Sequence, residues 1–141
     1  MVSQRPRAVI AEDHSEMRER IAALLAAEFD VVGTAADGTE LVDVLDRLAA
    51  ATGVSADVVV VDIFMPRKSG LEAIVEMRSR GSRVPTVCLT STMESDMVQA
   101  AWDAGASGFV VKTSLVDDLI PAIRAALAGR RFVSAAISSR H

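Results

Sequence analysis

The chain is poor in several features that would each mark a different class of protein. It has one cysteine in 141 residues, so no intramolecular disulfide can staple it. Cys88, inside the apolar run PTVCL, is expected to pack as a small buried hydrophobe in a reducing compartment. Long apolar runs are also missing: residues 58–61 and 63–65 fall far short of the roughly 20 residues needed to cross a bilayer. Only Ala8 to Ala11 precede the charges of Glu12 and Asp13, which is too little for the core of a secretory signal. A soluble, cytoplasmic protein without a membrane partner is expected. There is no basic excess: a net charge of −4 and a pI near 5.1 leave no surface-wide footprint for a polyanion, which argues against direct binding of nucleic acid. Repeats, low-complexity segments and Pro/Gly-rich linkers are absent from residues 7–128. Half of the residues are apolar, enough to bury one sizeable core and too few for two domains.

Five short runs rich in β-branched residues are present: RAVIA (7–11), DVVGTAA (30–36), DVVVVD (57–62), VPTVCLT (84–90) and SGFVVK (107–112). Most are continuously apolar rather than alternating, the pattern of strands covered on both faces. Between and after them, apolar residues recur at helical spacing, as in Leu41, Leu45 and Leu48 or Leu119, Ile120, Ile123 and Leu127. Helix starts are predicted from the pairs Ser69 with Glu72, Ser91 with Glu94 and Ser114 with Asp117, where a hydroxyl and a carboxylate can satisfy orphan amides reciprocally. Gly81, Gly105 and Gly129 stand where helices should end. The order is (βα) five times, which predicts a doubly wound α/β fold with a five-stranded parallel sheet in the order 2-1-3-4-5. Such a sheet opens a crevice at the carboxyl ends of its first and third strands, where the winding reverses.

Three acids should meet in that crevice: Glu12 and Asp13 after the first strand and Asp62 at the end of the third. Clustering like charges raises the cost of ionising all of them unless a cation is present. An all-oxygen donor set suits magnesium, which favours octahedral oxygen coordination and shares carboxylates with phosphate. Capping of the first helix by Asp13 can coexist with this role. The fourth strand ends in Thr90-Ser91 and the fifth in Lys112, so hydroxyls and an ammonium reach the same edge and suit a tetrahedral anion. His14 and His141 suggest no ligand cluster; solvated or capping roles fit them better.

Together these residues resemble the receiver domain of two-component response regulators, the CheY-like superfamily, over residues 7 to about 128. The marks are the pair Glu12-Asp13, DIFMPRKSG from Asp62 to Gly70, LTS from Leu89 to Ser91, and GASGFVVK from Gly105 to Lys112. Singly they are weak; in this order and on these strand ends they are specific. The resemblance implies that Asp62 is the phosphoacceptor, Asp13 a direct magnesium ligand, Glu12 a ligand mainly through water, and the Phe64 carbonyl the remaining protein ligand. It further implies that Lys112 and Ser91 bind phosphoryl oxygens, that Thr90 moves to bond one of them, and that Phe109 is the aromatic switch. A phosphoryl group would arrive from a sensor histidine kinase, and the face made by the fourth helix, fifth strand and fifth helix would change shape, with Trp102 on or near it or packed between helices. Such a domain is a phosphoacceptor rather than an enzyme.

Two positions depart from the family pattern. Thr113 stands where most relatives have proline, so no proline-locked geometry is expected there. Phe64, two residues past the phosphoacceptor and expected to face Thr92, is bulky and apolar and should slow attack of water on an acyl phosphate. The chain divides into an N-terminal extension (1–6), the receiver (7–128) and a tail (129–141) that resembles the start of the linker in NarL/FixJ-type regulators. DNA would then be reached only through an effector domain outside this chain, and the receiver could form a homodimer. A natural single-domain receiver acting by protein contact is the runner-up. A flavodoxin-like enzyme would need a glycine- and hydroxyl-rich first turn where this chain has AEDHSEM, and an aspartyl phosphohydrolase would want an acid at Phe64.

Overall fold

A computed structural model describes residues 5–53, 55–91 and 94–134. The elements alternate as β1 (Arg7–Ala11), α1 (Ser15–Leu25), β2 (Asp30–Ala35), α2 (Gly38–Thr52), β3 (Val58–Asp62), α3 (Gly70–Ser79), β4 (Thr86–Thr90), α4 (Ser95–Ala104), β5 (Gly108–Val111) and α5 (Leu115–Leu127), with a 3-10 turn (Lys112–Ser114) before α5. All strands pair in parallel. The expected order 2-1-3-4-5 is present and is extended by a strand that periodicity did not reveal: β6 (Phe132–Val133) pairs with β5, giving β2-β1-β3-β4-β5-β6. Part of the segment read as a tail is therefore built into the sheet. The face expected from the fourth helix, fifth strand and fifth helix is altered accordingly, because β6 occupies the outer edge of β5.

The apolar strands feed two cores by alternation of side chains. Val9, Ala11, Val59, Val61, Cys88, Phe109 and Val111 face α2, α3 and α4. Ala8, Ile10, Val58, Val60, Val87, Leu89 and Val110 face α1 and α5. Burial on both sides explains why β1, β3, β4 and β5 read as unbroken apolar runs. Burial also pushes the Cys88 thiol up to about 12, in keeping with the packing role expected for it. Trp102 packs in part against the larger core, and the Arg131 guanidinium lies 4.7 Å from its ring centre.

The helix boundaries show which capping signals operate. Ser69 and Glu72 form the expected capping box on α3. Ser114 precedes α5 without a side-chain cap, and α4 starts at Ser95 behind Glu94 rather than at Ser91. Asp13 does not cap α1, whose N-cap is His14. Gly81, Gly105 and Gly129 all take positive φ, as helix terminators do.

The segment from Ile63 to Ser69 is clamped at both ends by glycine. A Cβ on Gly70 would lie 2.3 Å from the Asp62 carbonyl oxygen, and one on Gly38 would lie 2.4 Å from that of Lys68. The Gly38 amide donates to Lys68 O (2.9 Å) and the Gly70 amide to Ile63 O (2.8 Å). Backbone cannot yield as a flexible side chain does, so Gly70→Ala should lower unfolding stability in urea by about 1–3 kcal/mol, the range for overpacking a tight site. An unchanged urea midpoint would show that the loop is not held this way.

Candidate phosphoryl-transfer site

Three strand ends supply the site. Glu12 follows β1, and its amide donates to Ala35 O at 2.9 Å, which extends the β1–β2 pairing and draws the residue inward. Asp62 closes β3, opposite Leu89 of β4. Lys112 follows Val111, which pairs with Thr90. The Glu12 side chain is fully buried, Asp62 is nearly so and Lys112 is 17% exposed.

Lys112 bridges the two carboxylates, with Nζ 2.9 Å from Glu12 Oε1 and 2.7 Å from Asp62 Oδ2. The second bond is a hydrogen bond; the first is a charge contact without hydrogen-bond alignment, since Glu12 Oε1 accepts no hydrogen bond. Asp62 Oδ1 accepts from the Phe64 amide at 3.0 Å. Glu12 Oε2 accepts from the His14 amide at 3.1 Å, and Arg18 Nη1 donates to the Glu12 carbonyl at 2.8 Å. Asp13 Oδ1 is shielded from solvent and also accepts no hydrogen bond. It lies 3.4 Å from His14 Nδ1, which is itself 3.3 Å from Glu12 Oε2. His14 thus belongs to an acidic group with ligand atoms within 4.8 Å of one another, against the expectation that it joins no cluster. Its ring remains largely exposed, as expected.

The charges shift one another. Burial raises the Asp62 pKa, the Lys112 hydrogen bond opposes that rise, and the Glu12 charge adds to it, leaving it raised. For Glu12, burial also pushes upward, but the Lys112 ammonium and the His14 amide outweigh it and the net direction is down. Burial disfavours the charged form of Lys112, and its two carboxylate contacts more than compensate, so its pKa is raised. One ammonium thus serves two buried carboxylates, with a third beside them. Formal negative charge remains in excess by two, and two of the inward oxygens accept no hydrogen bond. That donor set fits a small hard divalent cation such as magnesium.

The remaining expected residues differ in burial and placement. Thr90 is fully buried at the end of β4 and Ser91 is exposed just beyond it. Phe109 is fully buried, and Phe64 is 51% exposed. Thr92, expected opposite Phe64, and His141 lie outside the described residues. Thr113 sits within the 3-10 turn, and no peptide bond is cis among the described residues.

Sequence reasoning missed a second ion pair that holds the loop. Asp37 caps α2 by accepting from the Glu40 amide (2.8 Å) and from Arg67 Nε (2.8 Å). Arg67 takes a positive φ of 65°, an uncommon conformation that this bond helps to hold. The signal was available as Asp37-Gly-Thr-Glu40, a cap pattern ahead of the Leu41, Leu45 stripe.

A doubly wound α/β fold with acids, a lysine and a hydroxyl gathered at the carboxyl ends of its strands is the arrangement of a receiver domain. The chain belongs to the response regulator receiver domain family, whose model matches residues 8–124. It is 37% identical to the transcriptional regulatory protein PdtaR of Mycobacterium tuberculosis over 92% of this chain and 60% of that protein. It is 34% identical to the nitrate/nitrite response regulator protein NarP of Escherichia coli over 89% of this chain and 57% of that one. The chain therefore spans less than two thirds of the length of the curated relatives it matches. A LuxR-family two-component response regulator from Aurantimonas sp. SI85-9A1 superposes with a TM-score of 0.85 at 33% identity, covering 96% of this chain and 94% of that one. The signal receiver domain of NarL from Mycobacterium tuberculosis does so with 0.78 at 27% identity, covering 91% and 100%.

Hydrogen bonds from the Glu40 amide first and then from Arg67 hold the Asp37 carboxyl below the usual range, outweighing the upward push of burial. A carboxylate depressed in the folded state contributes stability above its unfolded pKa, and that contribution is lost as pH falls through the folded value. Asp37→Ala is therefore expected to cost roughly 1–2 kcal/mol at neutral pH, as for loss of a cap. The gap from wild type in urea unfolding should narrow as the buffer is taken below the usual carboxylate range; a gap independent of pH would remove the charge from the explanation.

Proposed function

We propose that this chain is the phosphoacceptor unit of a two-component regulator and that Asp62 takes the phosphoryl group. The observation that carries this is the Lys112 bridge between Asp62 and Glu12 beside Asp13 Oδ1, a buried carboxylate oxygen that accepts no hydrogen bond. Asp62 Oδ attacks phosphorus of a phosphohistidine on a sensor histidine kinase, or of a small phosphodonor; the bond from phosphorus to the donor breaks, its electron pair leaves with the donor, and an aspartyl acyl phosphate results. Attack by water later returns the carboxylate and inorganic phosphate, so the domain is a signalling acceptor rather than a turnover enzyme.

Asp13, Asp62 and the Phe64 carbonyl, with Glu12 through water, would hold a magnesium ion that neutralises charge on the oxygens as phosphorus passes between them. Lys112 transfers its hydrogen bond from the Asp62 carboxylate to a phosphoryl oxygen. Thr90 and Ser91 supply hydroxyl donors at the end of the neighbouring strand, and Phe109 is the buried aromatic whose packing follows Thr90. The Phe64 amide already bonds Asp62 Oδ1, which places this backbone beside the acceptor.

Residues 7–128 form the receiver in this reading, 1–6 an extension, and 129–141 a tail or linker of which Phe132–Val133 joins the sheet. This reading includes a cytoplasmic location, self-association of the receiver and transcriptional output through an effector domain; of these, transcriptional output is supported by the name of the relative PdtaR, a transcriptional regulatory protein. No described helix is long and apolar enough to cross a membrane.

Acetyl phosphate should add one phosphoryl group to the intact protein in the presence of magnesium, as read by mass spectrometry, and none to Asp62→Asn or to wild type in chelator. Labelling of Asp62→Asn at the wild-type rate would overturn the assignment. Phe64→Asn should shorten the lifetime of the acyl phosphate by replacing an apolar shield with a group that can orient water. An unchanged lifetime would remove Phe64 from control of hydrolysis.

A further inference from the structure

The last described strand does more than cover an edge. β6 runs parallel to β5, with Gly108 opposite Phe132 and Phe109 opposite Val133, so the chain travels toward the strand ends that carry Asp62 and Lys112. It leaves the sheet at Ser134, which is fully buried. The Ser134 amide donates to the Phe109 carbonyl at 3.0 Å, and its hydroxyl oxygen accepts from the Val111 amide at 3.1 Å. These two bonds flank Val110 and stop one residue short of Lys112. The other edge of β5 pairs with β4, Val111 against Thr90. The strand that presents Lys112 and contains Phe109 is thus held between the Thr90 strand on one side and Ser134 on the other. Upstream in the same segment, Arg131 lies over the ring of Trp102 on α4.

The side chain at 134 has a specific task. Past Val133 the strand pairing ends, yet the Val111 amide still needs an acceptor, because an unpaired buried amide costs most of its lost hydration. The hydroxyl oxygen supplies what a continuing strand would have supplied with a carbonyl. Alanine would leave that amide unpaired, and threonine would keep the acceptor.

We propose that Ser134 is a positioning residue for phosphoryl chemistry at Asp62, fixing the strand end from which Lys112 reaches the site, and that the β5–β6 bonds it makes pass the state of the site to the outgoing chain and to Trp102. The proposal rests on Asp62 being the phosphoacceptor. Phosphoryl capture draws on Thr90, which pairs with Val111 across the sheet, and on Lys112, which follows Val111 in sequence. Any shift of that strand end is met first by Ser134, and the segment continues back through Phe132 to Arg131 and the Trp102 ring.

The test uses the full chain with acetyl phosphate and magnesium, with phosphorylation read by mass spectrometry and the state of the segment read by Trp102 emission, since the chain has one tryptophan. Wild type and Ser134→Thr should become phosphorylated and change emission. Ser134→Ala should be phosphorylated roughly three- to tenfold more slowly, the scale of one hydrogen bond, and its emission should not respond even once it is phosphorylated to the same extent. A merely structural serine would alter stability and leave the emission response intact. In wild type, exchange of the Val111 and Ser134 amides should shift by at least about threefold on phosphorylation, a local opening effect, and this measurement decides the question alone if Ser134→Ala does not fold. Full phosphorylation with emission and exchange unchanged overturns the inference and leaves the Asp62 assignment standing. Absence of phosphorylation in wild type overturns that assignment and the inference with it.

Discussion

One ammonium between two buried carboxylates organises the rest of the molecule. Lys112 reaches Glu12 and Asp62 across the sheet because all three lie at the carboxyl ends of their strands, and it touches both. Removing one member of such a buried group leaves a charge without compensation, whereas adding a group that replaces a partner redistributes the bonds at small net cost. The arrangement can therefore be rewired: the acidic centre is stable with the lysine inserted, and the lysine becomes available when another anion enters beside Asp62. The flanking acid, Asp13, keeps the centre short of positive charge even with the lysine in place.

Around that centre the backbone is clamped on one side and continuous with further strands on the other. The loop after Asp62 is held by the close approach of Gly38 and Gly70 and by Asp37 pairing with Arg67. This fixes the backbone near Phe64 without engaging the functional oxygens of Asp62 beyond one amide. On the far side of the sheet, β5 has strands on both edges. Displacement of its carboxyl end is consequently a change in two pairings rather than one, and the second involves Phe132 to Ser134.

Most of the architecture was legible from the order of residues because burial on both faces of a parallel sheet writes itself as unbroken apolar runs. The runs at 57–62 and 107–112 contain β3 and β5, with only terminal residues falling outside. The site was legible because its acids, hydroxyls and lysine sit at the ends of those runs, where an α/β fold gathers them. What escaped has physical reasons. β6 is two residues long, too short for any periodicity, and its stability comes from an edge that only the folded sheet creates. The Ser91 pattern has the chemistry of a cap, but a cap needs a helix that begins there, and α4 starts at Ser95 behind Glu94; Ser114 does stand before α5, yet it closes a 3-10 turn instead of an extended segment and its side chain makes no cap bond. Asp37 was overlooked although its pattern was present. The direct contact of Lys112 with the acceptor carboxylate depends on side-chain reach across three strands, a distance that no linear pattern encodes.

The opposite margin of the sheet has its own character. β2 pairs with β1 through an irregularity between Ala8 and Val9, where Val9 is met by Gly33 rather than by the next residue in step. A Cβ on Gly33 would come within 2.8 Å of Val44, so α2 presses close at that point. An irregular strand that opens on an aspartate makes a poor template for a foreign strand. At the other margin stands β6, only two residues long, so the sheet offers little length for another polypeptide to extend there.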